Sequence, residues 1–137
     1  IPMDKINLWP FYVVPKLDTW ASKHSRVVIL GDAAHAIPPT AGQGINQAFE
    51  DVYVYSLILA KCQQHNLVRG LKAWQRGRQD RIDRVLDLNA QIDARRMPTD
   101  PQSTASNFET KLFDLAWLYS PNFDEMTESW LAEAGIV

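Results

Sequence analysis

Residues 31–51, GDAAHAIPPTAGQGINQAFED, decide how this chain folds and which chemistry it can support. The apolar residues 27–30 precede this stretch and are typical of a short buried strand. Asp32 follows that strand, and a loop with two adjacent prolines then leads into an amphipathic helical pattern. The first N–H groups of a helix have no partner within it, so they can face an anion or a carbonyl oxygen. Because a carboxylate accepts hydrogen bonds from hydroxyl groups, the stretch predicts a site for a polar cofactor.

The same stretch resembles the second FAD-contacting motif of a known family, the single-component FAD-dependent aromatic hydroxylases and monooxygenases. That family includes the para-hydroxybenzoate and salicylate hydroxylases. The flanking sequence, from Trp9-Pro10-Phe11 to the segment Leu71-x-x-Trp74-x-x-x-Arg78, resembles its fungal branch. The resemblance covers residues 1–96, and the motif is long and tightly spaced. The chain is therefore similar to the C-terminal segment of such an enzyme.

The resemblance implies a role for each residue of the motif. The matching Asp32 would bond the ribityl hydroxyls of FAD, and the Pro39 carbonyl would lie near the reactive edge of the flavin. Backbone N–H groups at the helix start would stabilise negative charge on the reduced ring, and glycines would let the backbone approach it. Without the motif, Asp32 also fits a residue that caps a turn, and Pro39 one that stiffens a loop. The FAD contacts expected from the resemblance are Gly31, Asp32, Pro39, Gly42, Gly44, Ile45 and Asn46.

The diphosphate-binding unit of the family is missing from this sequence. These enzymes begin with a βαβ unit that carries G-x-G-x-x-G. Here Gly42-Gln43-Gly44 is followed by Ile45-Asn46-Gln47, so the third glycine is absent, and the family's middle Asp-Gly motif is absent too. We therefore expect the C-terminal part of a flavin hydroxylase standing as a separate chain, which alone binds FAD weakly or not at all.

The predicted fold is mostly α with a short strand pair, over 11–14 and 27–30, as the C-terminal part of an α/β, Rossmann-like FAD-binding fold. Residues 1–65 are predicted to hold the end of a substrate-domain sheet, the Gly-Asp motif and a helix over 43–64. Residues 66–96 are predicted to form one long helix, and residues 97–137 an acidic tail with helices over 108–118 and 124–134. The buried stripe predicted for the first helix is Ile45, Ala48, Phe49, Val52, Tyr55, Ser56 and Leu59.

Composition and charge exclude several other classes of function. Of the 137 residues only Cys62 is a cysteine, which excludes an internal disulfide and suits a reducing, cytoplasmic location. No apolar run approaches the ~20 residues needed to span a bilayer. The eight basic residues of 66–96 are interleaved with four aspartates and lack an aromatic platform, so we expect no nucleic-acid partner.

Other polar residues near the motif are predicted to be structural. Glu50 and Asp51 are adjacent on a helix and point about 100° apart, so they should not converge on a metal or share a proton. Asp51 is predicted to lie near the polar edge of its helix. His35 is expected to make a structural hydrogen bond, and no set of His, Cys and Asp has the spacing of metal ligands.

The function implied by the resemblance is that of a monooxygenase segment. NAD(P)H reduces the flavin, O₂ reacts with it, and one oxygen atom passes to an aromatic or polyketide-like small-molecule substrate. The remaining contacts would come from an N-terminal complementing polypeptide or from self-association. Two alternatives stay open: a flavin-free relative that acts as a small-molecule-binding protein or as a non-redox cyclase or isomerase, and an inactive fragment.

Overall fold

A computed structural model describes residues 2–7, 10, 14–96 and 114–136, and this part of the chain is mostly helical. The two long helices are α1, Gly44–Lys61, and α2, Leu67–Arg96. Two short helices follow, α3, Ala116–Tyr119, and α4, Phe123–Glu133. Short 3-10 turns lie at Met3–Lys5, Gly31–Ala33 and Pro39–Ala41. The mostly α prediction is confirmed for the described residues.

The predicted strand pair is not seen in the part of the chain that the structure describes. Residues 27–30 make a single antiparallel bridge, between Ala21 and Val28, and Val27 is exposed. The bridge is supported by the bond from Ile29 N–H to the Trp20 carbonyl, at 2.9 Å. Three of the residues predicted for the other strand, 11–13, lie outside the described residues. A segment with one bridge has too few neighbours for the repeated pairing that defines a strand.

Helix α1 buries a different face from the one predicted. Its buried residues are Gln47, Asp51, Val54 and Ile58, at spacings of four and three. Ile45 and Phe49, assigned to the buried stripe, are each 68% exposed. The prediction was wrong because α1 carries apolar side chains on two sides, and charged partners on α2 decide which side faces inward.

Helix α2 matches the helix predicted over residues 66–96, and its two glycines are explained by packing. A Cβ on Gly70 would overlap the Sγ of Cys62, and a Cβ on Gly77 would overlap the indole ring of Trp130. Both glycines therefore allow a neighbouring segment to approach the helix closely. The division of the chain at residues 65 and 96 stays a prediction.

Helix α4 covers the core formed by α1 and α2. Leu131 is fully buried there against Ile58 and Trp74, which belong to the same cluster. The Asn122 side chain caps α4 by accepting a hydrogen bond from the Glu125 N–H. The helix predicted over 108–118 lies mostly outside the described residues, and α3 covers the end of it. The packing of α4 against both long helices therefore helps to hold α1 and α2 together.

Candidate functional site

The loop before α1 and the first turn of α1 form an open groove of about 600 Å³. Its lining residues are Asp32, Ile37, Pro39, Gly42, Gly44, Ile45 and Ala48. Five of the seven residues expected to contact FAD therefore line one groove. Of the other two, Gly31 is buried, and Asn46 is exposed on the first turn of α1.

Asp32 projects from the 3-10 turn Gly31–Ala33 at one side of the groove. The residue is exposed, and none of the described residues hydrogen-bonds to its carboxylate. Its Oδ1 lies 4.0 Å from the position that a Cβ on Gly44 would occupy. The absence of a side chain at Gly44 thus leaves the space in front of the carboxylate open.

The N-terminus of α1 also lines the groove. Gly42 adopts a left-handed conformation, with φ of +63°, which glycine tolerates best, and its N–H bonds the Pro39 carbonyl at 3.0 Å. Gln43 precedes the helix without a capping side-chain bond. The N–H groups of residues 44–46 precede the first intrahelical bond, from Gln47 N–H to the Gln43 carbonyl at 2.9 Å. They have no acceptor within the helix, so the groove presents donors and a partial positive charge.

Behind the groove, the Asp51 carboxylate collects three hydrogen bonds. Its Oδ2 accepts from the Gly31 N–H at 2.8 Å and from His35 Nε2 at 2.6 Å. Its Oδ1 accepts from Arg78 Nε at 2.7 Å. The side chains of Asp51 and Arg78 are fully buried, and His35 is nearly so. The structural hydrogen bond predicted for His35 is confirmed, whereas the prediction that Asp51 lies near a polar edge was wrong.

A second carboxylate, Glu50, joins the same network. Arg78 Nη1 donates to Glu50 at 2.6 Å, and its Nη2 donates to the side chain of Gln47 at 2.8 Å. Arg81 holds Glu50 as well, and it donates to the backbone carbonyl of Trp117 at 2.6 Å. The prediction that Glu50 and Asp51 do not converge was wrong, because both carboxylates bind the guanidinium of Arg78. No local spacing reveals this, because Arg78 lies 27 residues after Asp51.

The charge of Asp51 is maintained by its partners. Burial alone would raise the pKa of this carboxyl group. The hydrogen bond from His35 and the positive charge of Arg78 outweigh burial and hold the pKa below its ordinary value of 3.8. The carboxylate therefore stays ionised at neutral pH and can serve as acceptor for all three donors.

The groove combines an exposed carboxylate, which can accept hydrogen bonds from hydroxyl groups, with the first N–H groups of a helix, which can donate to a carbonyl oxygen or an anion. Its glycines allow a ligand to approach the backbone closely. The G-x-G-x-x-G unit for a diphosphate is missing from the sequence. Among the described residues, no group of three or more His, Cys, Asp or Glu side chains is placed to hold a metal ion. No helix in the described ranges is long and apolar enough to cross a membrane.

Comparison with known proteins finds relatives that are much longer than this chain. nodY2 of Hypoxylon pulicicidum, an FAD-dependent monooxygenase, is 40% identical over 89 residues, which are 65% of this chain and 19% of that protein. Notoamide E oxidase notB' of Aspergillus versicolor is 31% identical over 126 residues, 90% of this chain and 28% of that protein. The crystal structure of CtdE in complex with FAD matches with a TM-score of 0.65 and 25% identity, over 91% of this chain and 28% of that one.

The family model described as FAD binding domain matches residues 16–89, which is more than half of the chain and includes the whole groove. The resemblance inferred from residues 31–51 is thereby confirmed. The chain belongs to the FAD binding domain family, on the branch that holds these fungal FAD-dependent monooxygenases.

Proposed function

We propose that this chain supplies the ribityl and ring-edge contacts of the FAD site in a monooxygenase. The enzyme would use NAD(P)H and O₂ to hydroxylate an aromatic or polyketide-like small molecule. The observation that carries the proposal is the groove, which Asp32 and the first residues of α1 line together. The chain spans 19% to 28% of the relatives compared, so the activity belongs to the assembled enzyme. A reducing, cytoplasmic location is part of the proposal and is supported by the single, free Cys62.

Asp32 is proposed to accept hydrogen bonds from the ribityl hydroxyls. A hydrogen bond to a charged acceptor contributes about 1.5–3 kcal/mol. The carboxylate is exposed and is bonded by none of the described residues, so a ligand displaces only water from it. Gly31, whose N–H is bound to Asp51, holds the turn that presents this carboxylate.

The N-terminus of α1 is proposed to face the flavin ring. The bound FAD supplies the redox chemistry, and the protein supplies orientation and electrostatics. N–H groups of Gly44, Ile45 and Asn46 would donate to the ring carbonyl and stabilise negative charge there by about 0.3–1 kcal/mol, and by more when water is excluded. Pro39 and Gly42 shape the loop so that the ring can approach the helix.

The outer face of α1 is proposed to dock the polypeptide segment that carries the missing part of the flavin fold. This outer face consists of Ile45, Phe49, Val52 and Tyr53, which are 68%, 68%, 49% and 49% exposed. Ile45 also lines the groove, so the apolar face continues into the cofactor site. Sedimentation of the chain alone tests this proposal: a monomer supports it, whereas a dimer that Phe49→Glu disperses supports self-association.

Titration with riboflavin, followed by NMR, tests the flavin contacts. Riboflavin contains the ring and the ribityl chain without a diphosphate, and lumiflavin contains the ring alone. We expect riboflavin to shift the amide signals of residues 31–46, and Asp32→Asn to weaken it by about tenfold or more. Asp32→Asn should weaken the binding of lumiflavin less than that of riboflavin, because lumiflavin has no ribityl hydroxyls. Asp87→Asn, an exposed aspartate on α2, is the matched control. Because the chain lacks the diphosphate-binding unit and weak binding is expected, the titration runs up to the solubility limit of riboflavin. A folded chain that gives no signal change even there would refute the proposal and favour the flavin-free alternative.

A further inference from the structure

We infer that Asp51 is a positioning residue for the flavin, because its buried carboxylate ties the turn Gly31–Ala33 to helices α1 and α2. The inference rests on the proposed function and extends it to a residue that does not line the groove. Asp51 would act through the turn that presents Asp32, and its loss would weaken flavin binding without removing any direct contact.

The turn at Gly31 is held at both its N–H and its carbonyl. The N–H donates to Asp51 Oδ2 at 2.8 Å, and the carbonyl accepts from the N–H groups of Ala34 and His35 at 2.8 and 2.9 Å. Gly31 has φ of +56°, and a Cβ there would lie 3.2 Å from the Cβ of Ala48. The backbone therefore sits against α1 in a conformation that other residues rarely adopt. Asp32 follows directly, so its position depends on this anchoring.

His35 closes the loop around the same carboxylate oxygen. Its Nε2 lies 2.6 Å from Asp51 Oδ2, while its Nδ1 is buried without a partner among the described residues. Because the Asp51 carboxylate is ionised and can only accept, Nε2 carries a proton in this contact and donates it. Asp51 thus receives two donors, Gly31 and His35, from the two ends of one short loop.

Arg78 supplies the rigid support from α2. Its Nε donates to Asp51, its Nη1 to Glu50, and its Nη2 to the side chain and backbone carbonyl of Gln47. One planar guanidinium therefore holds three residues of α1 in fixed register. Through Asp51 this support extends to Gly31 and hence to the groove.

An asparagine cannot replace Asp51 in this arrangement. Asp51 has three donors around it, from Gly31, His35 and Arg78. An asparagine offers one acceptor oxygen, and its amide group is itself a donor. At least one of the three donors then faces another donor, in a place without water access, and the turn must shift to relieve it.

The test compares Asp51→Asn with Asp83→Asn, the same chemical change at a surface ion pair with Lys16. Amide hydrogen exchange reports the turn through the Gly31 N–H, and riboflavin titration reports the cofactor contacts. In Asp51→Asn we expect the Gly31 amide to exchange at least about tenfold faster, while core amides such as that of Leu131 keep their protection. We expect riboflavin binding to weaken by about tenfold. Asp83→Asn should change neither.

Each outcome decides the inference. Fast exchange at Gly31 with riboflavin binding unchanged would overturn it and leave the proposed function standing. Equal acceleration at Gly31 and Leu131 would also overturn it, because it would mean general unfolding. Absence of riboflavin binding by the unsubstituted chain would overturn both. If Asp51→Asn does not fold, Arg78→Lys takes its place, because one ammonium group cannot reach Asp51, Glu50 and Gln47 together. Faster exchange at Gly31 with weaker riboflavin binding in that variant then supports the inference, and unchanged riboflavin binding refutes it.

Discussion

Gly77 lies on α2 beneath the indole ring of Trp130 on α4, and we expect Gly77→Ala to loosen α4. A Cβ at residue 77 would lie 2.5 Å from Cζ2 of Trp130 and would overlap Cδ2 and Cε2 more closely still. The atoms it meets belong to a rigid ring, so relief requires movement of the whole indole. Because Leu131 follows Trp130 and is fully buried, this movement disturbs the core side of α4 as well.

The expected effect is the difference between two opposing terms. In a helix interior, alanine in place of glycine stabilises by about 0.8–1.0 kcal/mol. Overpacking a filled interface costs about 1–3 kcal/mol, and partial exposure of Leu131 adds to that loss. We therefore expect the free energy of unfolding to fall by about 1–2 kcal/mol, which lowers Tm by roughly 4–8 °C in a chain of this length.

A double-mutant cycle with Trp130→Ala tests the cause of the effect. Once the indole is absent, Gly77→Ala should stabilise the chain by up to about 1 kcal/mol, because only helix propensity remains. Thermal unfolding of the four proteins gives the coupling, and hydrogen exchange over Phe123–Glu133 should be faster in Gly77→Ala than in the unsubstituted chain. If Gly77→Ala lowers Tm equally in both backgrounds, contact with Trp130 is not the reason for the glycine.

The remaining predictions concern acid, thiol reactivity and FAD. The pKa of Asp51 is held below 3.8, so the ionised carboxylate contributes fully to stability above that pH, and this contribution is lost as pH falls through the lower, folded-state pKa. The difference in Tm between the unsubstituted chain and Asp51→Asn should therefore shrink below about pH 4. Burial raises the pKa of the Cys62 thiol, so iodoacetamide should alkylate it more slowly in the native chain than in urea at pH 8. Calorimetric titration of the chain alone should give an FAD Kd weaker than about 1 µM, equivalent to less than about 8 kcal/mol, and a tighter value would contradict the role assigned to the missing βαβ unit.

The groove could be predicted from the sequence because its determinants are local. Asp32, Pro39 and Gly42 fall within one continuous stretch, and turn chemistry fixes their relative placement: proline restricts the loop, and glycine adopts the left-handed conformation before α1. The existence of α1, α2 and α4 followed from helical periodicity for the same reason. Residue types and their order within this stretch were sufficient to predict that these residues line one site, whereas the position of the turn that carries Asp32 also depends on Asp51.

The buried network could not be predicted, because it depends on contacts between distant residues. Asp51 and Arg78 are both charged, and charged residues are mostly exposed, so the sequence alone predicts that each of them lies in solvent. Their burial follows only when α1 and α2 pack together, which brings the guanidinium to within 2.7 Å of the carboxylate. The error in the buried stripe of α1 has the same origin, since the face with Asp51 and the face with Phe49 cannot both point inward.

The orientation of α1 makes sense only when all of its surfaces are considered together. Burying a charged carboxylate costs several kcal/mol unless it is fully paired, and the three donors around Asp51 meet that condition. The consequence is that Phe49 and Ile45 face outward, at a loss of about 1.5–3 kcal/mol for each large side chain left in water. In the proposed assembly, docking of the rest of the flavin fold would cover these two side chains, and the N-terminus of α1 would face the flavin ring. In this proposal, the network around Asp51 fixes one helix that would serve both as a wall of the cofactor groove and as the interface to the completing polypeptide.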